Sequence, residues 1–184
     1  MRVIAGVLKG RQIKAVPGKM TRPTADKVKE AVFQVMGPYF KGGAVLDLYA
    51  GSGSLGIEAL SRGMEQAVFV DKQPKAIHTI NENLKSMKIE QETEVYRADA
   101  FRAINAAAKR GLQFDLILLD PPYKKVDYAK LLDEIVKLQL IKTDGIIYCE
   151  HDVSEELPLI HEYLSLLKQQ NYGGTIGITI YQKN

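Results

Sequence analysis

Asp47-Leu48-Tyr49-Ala50-Gly51-Ser52-Gly53-Ser54-Leu55-Gly56 is the stretch on which the fold turns. An apolar run over residues 44–48 leads into it, and a helical pattern over 55–62 leads out. Glycines at 51 and 53 let the backbone turn sharply and approach a ligand closely, as happens where a strand hands over to a helix at the carboxyl edge of an open α/β sheet. Beyond this turn, short apolar runs at 67–70, 94–97, 114–119 and 145–149 alternate with helical patterns at 74–87, 100–109 and 128–138. Near-continuous apolar strands separated by helices predict a parallel sheet covered on both faces. The carboxyl-terminal stretch differs, because residues 163–169 and 175–182 face each other across Asn171-Tyr172-Gly173-Gly174. That pattern predicts an antiparallel hairpin closing one sheet edge.

Upstream of the turn the pattern is shorter. Apolar-polar alternations at 2–6 and 11–16 flank Lys9-Gly10 and read as a hairpin or two extended arms. Pro17-Gly18 interrupts them, and Thr24 is placed to cap a helix over 26–36, where Val28, Ala31, Val32 and Val35 recur at helical spacing. Gly37-Pro38 ends that helix and Gly42-Gly43 forms a hinge. The expected division is therefore an amino-terminal extension, residues 1–41, and an α/β domain, residues 42–184.

With 184 residues, 46% of them hydrophobic, the chain can bury one sizeable core. No apolar run approaches the roughly 20 residues that span a bilayer, and residues 1–6 lack the apolar stretch of a secretory signal, so a cytoplasmic protein is expected. The single cysteine, Cys149, excludes an intrachain disulfide and reads as a small buried hydrophobe. His78, His151 and His161 share no ligand spacing, so neither a metal nor a catalytic histidine is expected. The net charge of +3 is unevenly spread. Residues 1–41 hold nine basic side chains against two acidic ones, an excess of seven, which leaves the rest of the chain four negative. A basic arm on a mildly acidic body suits docking on phosphates, and Arg2, Lys9 and Arg11 are its candidate contacts. A solvated basic face with no partner is the simpler alternative.

The turn itself is chemically ambiguous. Gly51, Gly53 and Gly56 fit G-x-G-x-x-G, and Asp71 lies 20 residues beyond Gly51, where a dinucleotide fold places a ribose-binding acid. A nicotinamide-dependent oxidoreductase is therefore a genuine alternative. Against it stands Asp47, four residues before the first glycine. An acid there meets the cationic amino-acid end of S-adenosylmethionine, but repels a pyrophosphate. On this reading Asp47, Tyr49, Gly51, Ser52 and Gly53 form the cofactor turn, and Asp71 accepts both hydroxyls of a ribose diol. Asp99 takes the adenine amino group, or caps the next helix, or does both, and the Ala100 amide meets the ring nitrogen.

The run 114–119 delivers Asp120-Pro121-Pro122-Tyr123 to a strand end. Two prolines remove backbone donors and fix φ, leaving carbonyls to point at a substrate. An exocyclic base amine needs such acceptors. Its lone pair is delocalised into the ring, and it becomes a competent nucleophile when N–H bonds to Asp120 and a proline carbonyl draw the nitrogen towards tetrahedral geometry. Tyr123 is placed to stack on the base, an interaction typically worth about 1–3 kcal/mol, which offsets part of the cost of extruding a nucleotide. The plain alternative is a proline-rich turn with Tyr123 as packing.

At these residues the chain looks like a class I Rossmann-like methyltransferase and more closely resembles the RsmD family, bacterial small-subunit rRNA (guanine-N2)-methyltransferases. The resemblance runs nearly end to end. It covers Arg2-Val3-Ile4-Ala5-Gly6 with Lys9-Gly10-Arg11, Thr21-Arg22-Pro23-Thr24 with Asp26, Lys29-Glu30-Ala31 with Phe33, the glycine turn, Leu55-Gly56-Ile57-Glu58-Ala59, Asp120-Pro121-Pro122-Tyr123 and Tyr172-Gly173. The glycine turn and Asp-Pro-Pro-Tyr identify the chemistry, and Thr-Arg-Pro-Thr narrows the family. The resemblance implies a seven-stranded, mostly parallel sheet of order 3-2-1-4-5-7-6 with strand seven antiparallel. It also implies an enzyme that uses S-adenosylmethionine on one guanine of 16S rRNA, presented in an assembling ribosomal particle, with Arg22 and Thr24 near the mouth of the active site; a monomer is expected. Tyr49 stands where the family more often has Phe, which keeps the ring. An adenine-N6 nucleic-acid methyltransferase shares the Asp-Pro-Pro-Tyr chemistry, though the chain has no room for a large target-recognition region. A non-catalytic RNA-binding module remains as a further alternative.

Overall fold

The structure, a computed structural model, describes residues 1–18 and 25–184. Arg22, Thr24 and the helix cap expected from Thr24 lie outside these residues. The chain divides into two units, Met1–Ala100 and Phe101–Asn184. The strands run β3-β2-β1-β4-β5-β7-β6 in one seven-stranded sheet, and this is the expected fold class.

The first unit contains α1 (Ala25–Met36), β1 (Ala44–Asp47), α2 (Ser54–Ser61), β2 (Gln66–Asp71), α3 (Pro74–Ser86), a 3-10 turn (Glu90–Glu92) and β3 (Thr93–Arg97). β1 pairs parallel with β2, and β2 with β3. In α3, Ala76, Thr79, Ile80, Asn83 and Leu84 are buried, the spacing of one helical face. The amino-terminal alternations do not become two full strands. Arg2 and Gln12 form an isolated antiparallel bridge, flanked by donation from the Val3 amide to the Arg11 carbonyl and from the Ile13 amide to the Met1 carbonyl. The Ile4 and Ala5 amides instead donate to the Glu58 carboxylate, and this side-chain partner ends the ladder after one rung.

The second unit holds most of α4 (Ala100–Lys109), then β4 (Phe114–Leu119), α5 (Tyr128–Lys137), β5 (Ile141–Asp152), β6 (Leu164–Tyr172) and β7 (Ile176–Lys183). β4 pairs parallel with β5, and β7 runs antiparallel to both β5 and β6. Leu116, Ile117, Leu118 and Leu119 are all buried, as a strand covered on both faces requires. β5 is longer than residues 145–149. Its exposed opening residues Lys142, Thr143 and Asp144 carry no apolar signal, and β7 extends the pairing through Glu150, His151 and Asp152. The hairpin turns at Gly173-Gly174-Thr175, because pairing continues to Tyr172 opposite Ile176.

Candidate active site

In the first unit, β1 ends at Asp47 and α2 begins at Ser54, so the glycine turn occupies the strand-to-helix handover. Gly51 and Gly53 have φ of 57° and 85°, the left-handed region that favours glycine. A methyl group built on Gly51 would meet nothing within 4 Å, so the backbone there faces open space. One built on Gly56 would come within 2.4 Å of the Phe69 ring, which explains the third glycine by packing.

Asp47 is 1% exposed. Its Oδ2 accepts the Gly56 amide at 3.0 Å, so the carboxylate caps the first turn of α2. Its Oδ1 is buried with no hydrogen-bond partner. Burial pushes the Asp47 carboxyl up to about 7, with the negative charge of Asp71 adding to the shift and the Gly56 amide opposing it. A buried carboxylate oxygen without a partner is costly, and a cationic ligand relieves that cost. The orphaned oxygen and the open backbone at Gly51 fit the amino-acid end of S-adenosylmethionine.

The other cofactor candidates cluster in the same unit. Asp71 accepts the Gly51 amide through Oδ2 and the Gln73 amide through Oδ1, both at 2.9 Å, which fixes its carboxylate at the end of β2 beside the turn. Tyr49 is half-buried, and burial together with the nearby charge of Asp99 pushes its phenol up to about 12. Asp99 is exposed, and Ala100 is buried as the first residue of α4. Ser52 is buried, and its carbonyl accepts Asn83 Nδ2 at 2.9 Å.

A bracing network lies behind the turn. Glu58, 0% exposed, accepts the Ile4 and Ala5 amides and Arg62 Nε, and pairs with Lys29 Nζ at 3.4 Å. Lys29 also donates to Ser54 Oγ at 3.0 Å and to the Arg2 carbonyl at 2.7 Å. Burial holds the Lys29 ammonium below the usual lysine range, against the raising pull of Glu58 and Asp26. Asn83 adds a second tie, exchanging hydrogen bonds with the Lys14 backbone while holding Ser52. The amino-terminal segment is thereby fastened to the elements that shape the glycine turn. Replacing Glu58 with alanine strands two buried cations and two amides. The expected result is a loss of about 3–5 kcal/mol in urea unfolding, with Arg2 to Gly10 becoming protease-sensitive. The signal for Glu58 was its place as an acid within an apolar helix.

In the second unit, Asp120 is half-buried at the end of β4, Pro121 is buried, Pro122 exposed and Tyr123 half-buried. The Pro122 carbonyl accepts the Lys125 amide at 3.4 Å. Tyr123 donates to Glu150 Oε2 at 3.1 Å, Tyr148 donates to Glu150 Oε1 at 3.0 Å, and the Tyr128 hydroxyl donates to the Glu150 carbonyl. Burial, followed by the charges of Glu150 and Asp120, holds the Tyr148 phenol well above its ordinary value. Lys124 has φ of 61°, and its amide donates to Glu155 Oε1 at 3.1 Å. Glu150 was missed because it directly follows an apolar run and reads as the strand's polar end.

Of the basic candidates, Arg2 lies 3.7 Å from Asp26, Arg11 donates to the Ser86 carbonyl, and Lys9 is exposed. Cys149 is fully buried, with its thiol pushed up by burial, and the buried His151 ring lies between the Asp152 carbonyl and Thr179 Oγ1. Among the described residues, no group of three or more His, Cys, Asp or Glu is arranged to hold a metal ion, and no helix is long and apolar enough to cross a membrane.

The sheet order and the antiparallel carboxyl-terminal hairpin define a class I methyltransferase fold. Solved structures agree: "Putative methyltransferase yhhF from Escherichia coli" superposes with a TM-score of 0.86 at 27% identity, covering 100% of this chain and 98% of that one. The chain belongs to the family described as "Conserved hypothetical protein 95", whose profile matches residues 1–182. Among curated relatives, "Putative rRNA methyltransferase YlbH" of Bacillus subtilis is 52% identical over 100% of this chain and 99% of its own. "Ribosomal RNA small subunit methyltransferase D" of Haemophilus influenzae is 31% identical over 99% of this chain and 93% of its own. The resemblance to the RsmD family read from the motifs is therefore carried by the whole chain.

Proposed function

We propose that this protein transfers a methyl group from S-adenosylmethionine to the exocyclic N2 of a guanine in small-subunit rRNA. The observation that carries the donor is the buried, unpartnered Oδ1 of Asp47 behind a glycine turn that faces open space. A cationic α-ammonium satisfies that oxygen, whereas a dinucleotide pyrophosphate adds negative charge to it. The relatives named for rRNA methylation support the acceptor.

In this reading Asp47 binds the ammonium, Tyr49, Gly51, Ser52 and Gly53 line the cofactor, Asp71 takes the ribose hydroxyls, and Asp99 with the Ala100 amide takes the adenine. The cofactor supplies an electrophilic methyl group on a sulfonium. Asp120 and the Pro121 carbonyl accept the two N–H bonds of the guanine amine, since the Pro122 carbonyl already accepts Lys125. The amine nitrogen thereby turns its lone pair towards the donor, and Asp120 takes the proton released once the new C–N bond has formed. Tyr123 stacks on the extruded base. Residues 1–41 act as the RNA-docking extension, with Arg2, Lys9, Arg11 and Arg22 as phosphate contacts and Thr24 near the mouth. The enzyme works as a cytoplasmic monomer, without a metal, on an assembling small-subunit particle.

The test is transfer of a labelled methyl group to small-subunit particles, naked small-subunit rRNA and duplex DNA offered separately. Label is expected in the particles, with less in naked rRNA. Label confined to DNA, or none in any of the three, would contradict the reading.

A further inference from the structure

We propose that Glu150 is a positioning residue, whose carboxylate anchors the far end of the Tyr123 ring where the target base is received. The inference rests on the methyl-transfer reading above and assigns a role to a residue outside the Asp-Pro-Pro-Tyr motif. Tyr123 is half-buried, so part of its ring is open to solvent. Its hydroxyl donates to Glu150 Oε2 at 3.1 Å, a charge-assisted bond that holds the far end of the ring.

Glu150 is itself held on three sides. The buried Tyr148 donates to Oε1 at 3.0 Å, the Tyr128 hydroxyl donates to the Glu150 carbonyl, and β5 pairs with β4 on one side and β7 on the other. The carboxylate is therefore a rigid acceptor on a rigid strand, the arrangement that precise placement of a reacting group requires. The next residue is held in the same manner, with the Lys124 amide donating to Glu155. Both residues after the double proline are thus tied to carboxylates on or just beyond β5. A structural account of Glu150 needs only an acceptor for the buried Tyr148 phenol. It gives no reason for the second oxygen to reach a half-buried ring in the motif.

A glutamine at 150 is isosteric but offers one acceptor oxygen to two phenols. The more buried Tyr148 keeps it, and Tyr123 exchanges its charge-assisted bond to a carboxylate for one in which its hydroxyl oxygen faces the amide Nε2 donors. The test compares the wild type, Glu150→Gln, Tyr123→Phe and the double variant in methyl transfer to small-subunit particles. Thermal midpoints and the tyrosine Cζ resonances are measured alongside. Each single variant is expected to lower kcat about 10- to 100-fold, the penalty typical of a misplaced reacting group, with KM for S-adenosylmethionine within about twofold of wild type. The double variant should be no slower than the slower single, because both remove the same hydrogen bond. Glu150→Gln should move the Tyr123 and Tyr148 resonances without lowering the thermal midpoint. Wild-type kcat in Glu150→Gln, or losses that multiply in the double variant, would overturn this role and leave the methyl-transfer reading standing. Absence of methyl transfer by the wild type would overturn both.

Discussion

Asp120→Ala is expected to lower kcat for methyl transfer by about 10²–10⁴-fold, while S-adenosylhomocysteine binds with near wild-type affinity. The asymmetry follows from the role proposed for the carboxylate. Asp120 directly follows β4 and, in the proposed reaction, serves the acceptor, while the glycine turn with Asp47 and Asp71 is assigned to the donor. Removing the carboxylate takes away an N–H acceptor and the first destination of the released proton, but no group assigned to the cofactor. Asp120→Asn, which keeps one acceptor oxygen and loses the charge, should fall between wild type and alanine. Single-turnover kinetics with particles, paired with calorimetry, checks both halves. An alanine variant that keeps most of its turnover would favour a non-catalytic RNA-binding module.

The second large effect concerns Asp47, where binding and stability are expected to move in opposite directions. Asp47→Asn keeps an oxygen for the Gly56 amide and removes the charge proposed to meet the cofactor ammonium. Losing one partner of a buried charge pair typically costs about 2–5 kcal/mol, so S-adenosylhomocysteine should bind at least about 30-fold more weakly by calorimetry at pH 8. The ligand-free protein should respond the other way. Because burial raises the folded-state carboxyl to about 7 from an ordinary 3.8, the wild type is relatively more stable with Asp47 protonated. That contribution is present at low pH and is lost as pH rises towards and through 7. Relative to wild type, the asparagine variant should therefore gain roughly 2–4 kcal/mol in urea unfolding between pH 5 and pH 8. A stability difference independent of pH would show that Asp47 is not held above its ordinary value.

Much of the fold was legible because its signals are local. The parallel strands are short apolar runs bounded by polar turns, and α4 was expected at 100–109 and observed at Ala100–Lys109. Where the reading fell short, tertiary partners decided the outcome. Nothing local tells residues 2–6 that Ile4 and Ala5 will donate to Glu58 rather than to a facing strand. The polar ends of β5, Lys142 to Asp144 and Glu150 to Asp152, become strand only because β7 is there to pair with the second of them and a register shift accommodates the first. In the candidate site, the glycine turn and Asp-Pro-Pro-Tyr are readable as motifs because each is a contiguous stretch of sequence. Glu58, Asn83 and Glu150 are not, because each acts on a partner 25 or more residues away. The orphaned oxygen of Asp47 is likewise a property of packing that the sequence places but does not reveal.

The central claim, that the acceptor is the exocyclic amine of a guanine, is tested most directly by digesting methylated small-subunit particles to nucleosides and identifying the labelled product by mass spectrometry. The account predicts N2-methylguanosine as the labelled nucleoside. Recovery of the label in N6-methyladenosine, or in a ring-nitrogen product, would contradict it.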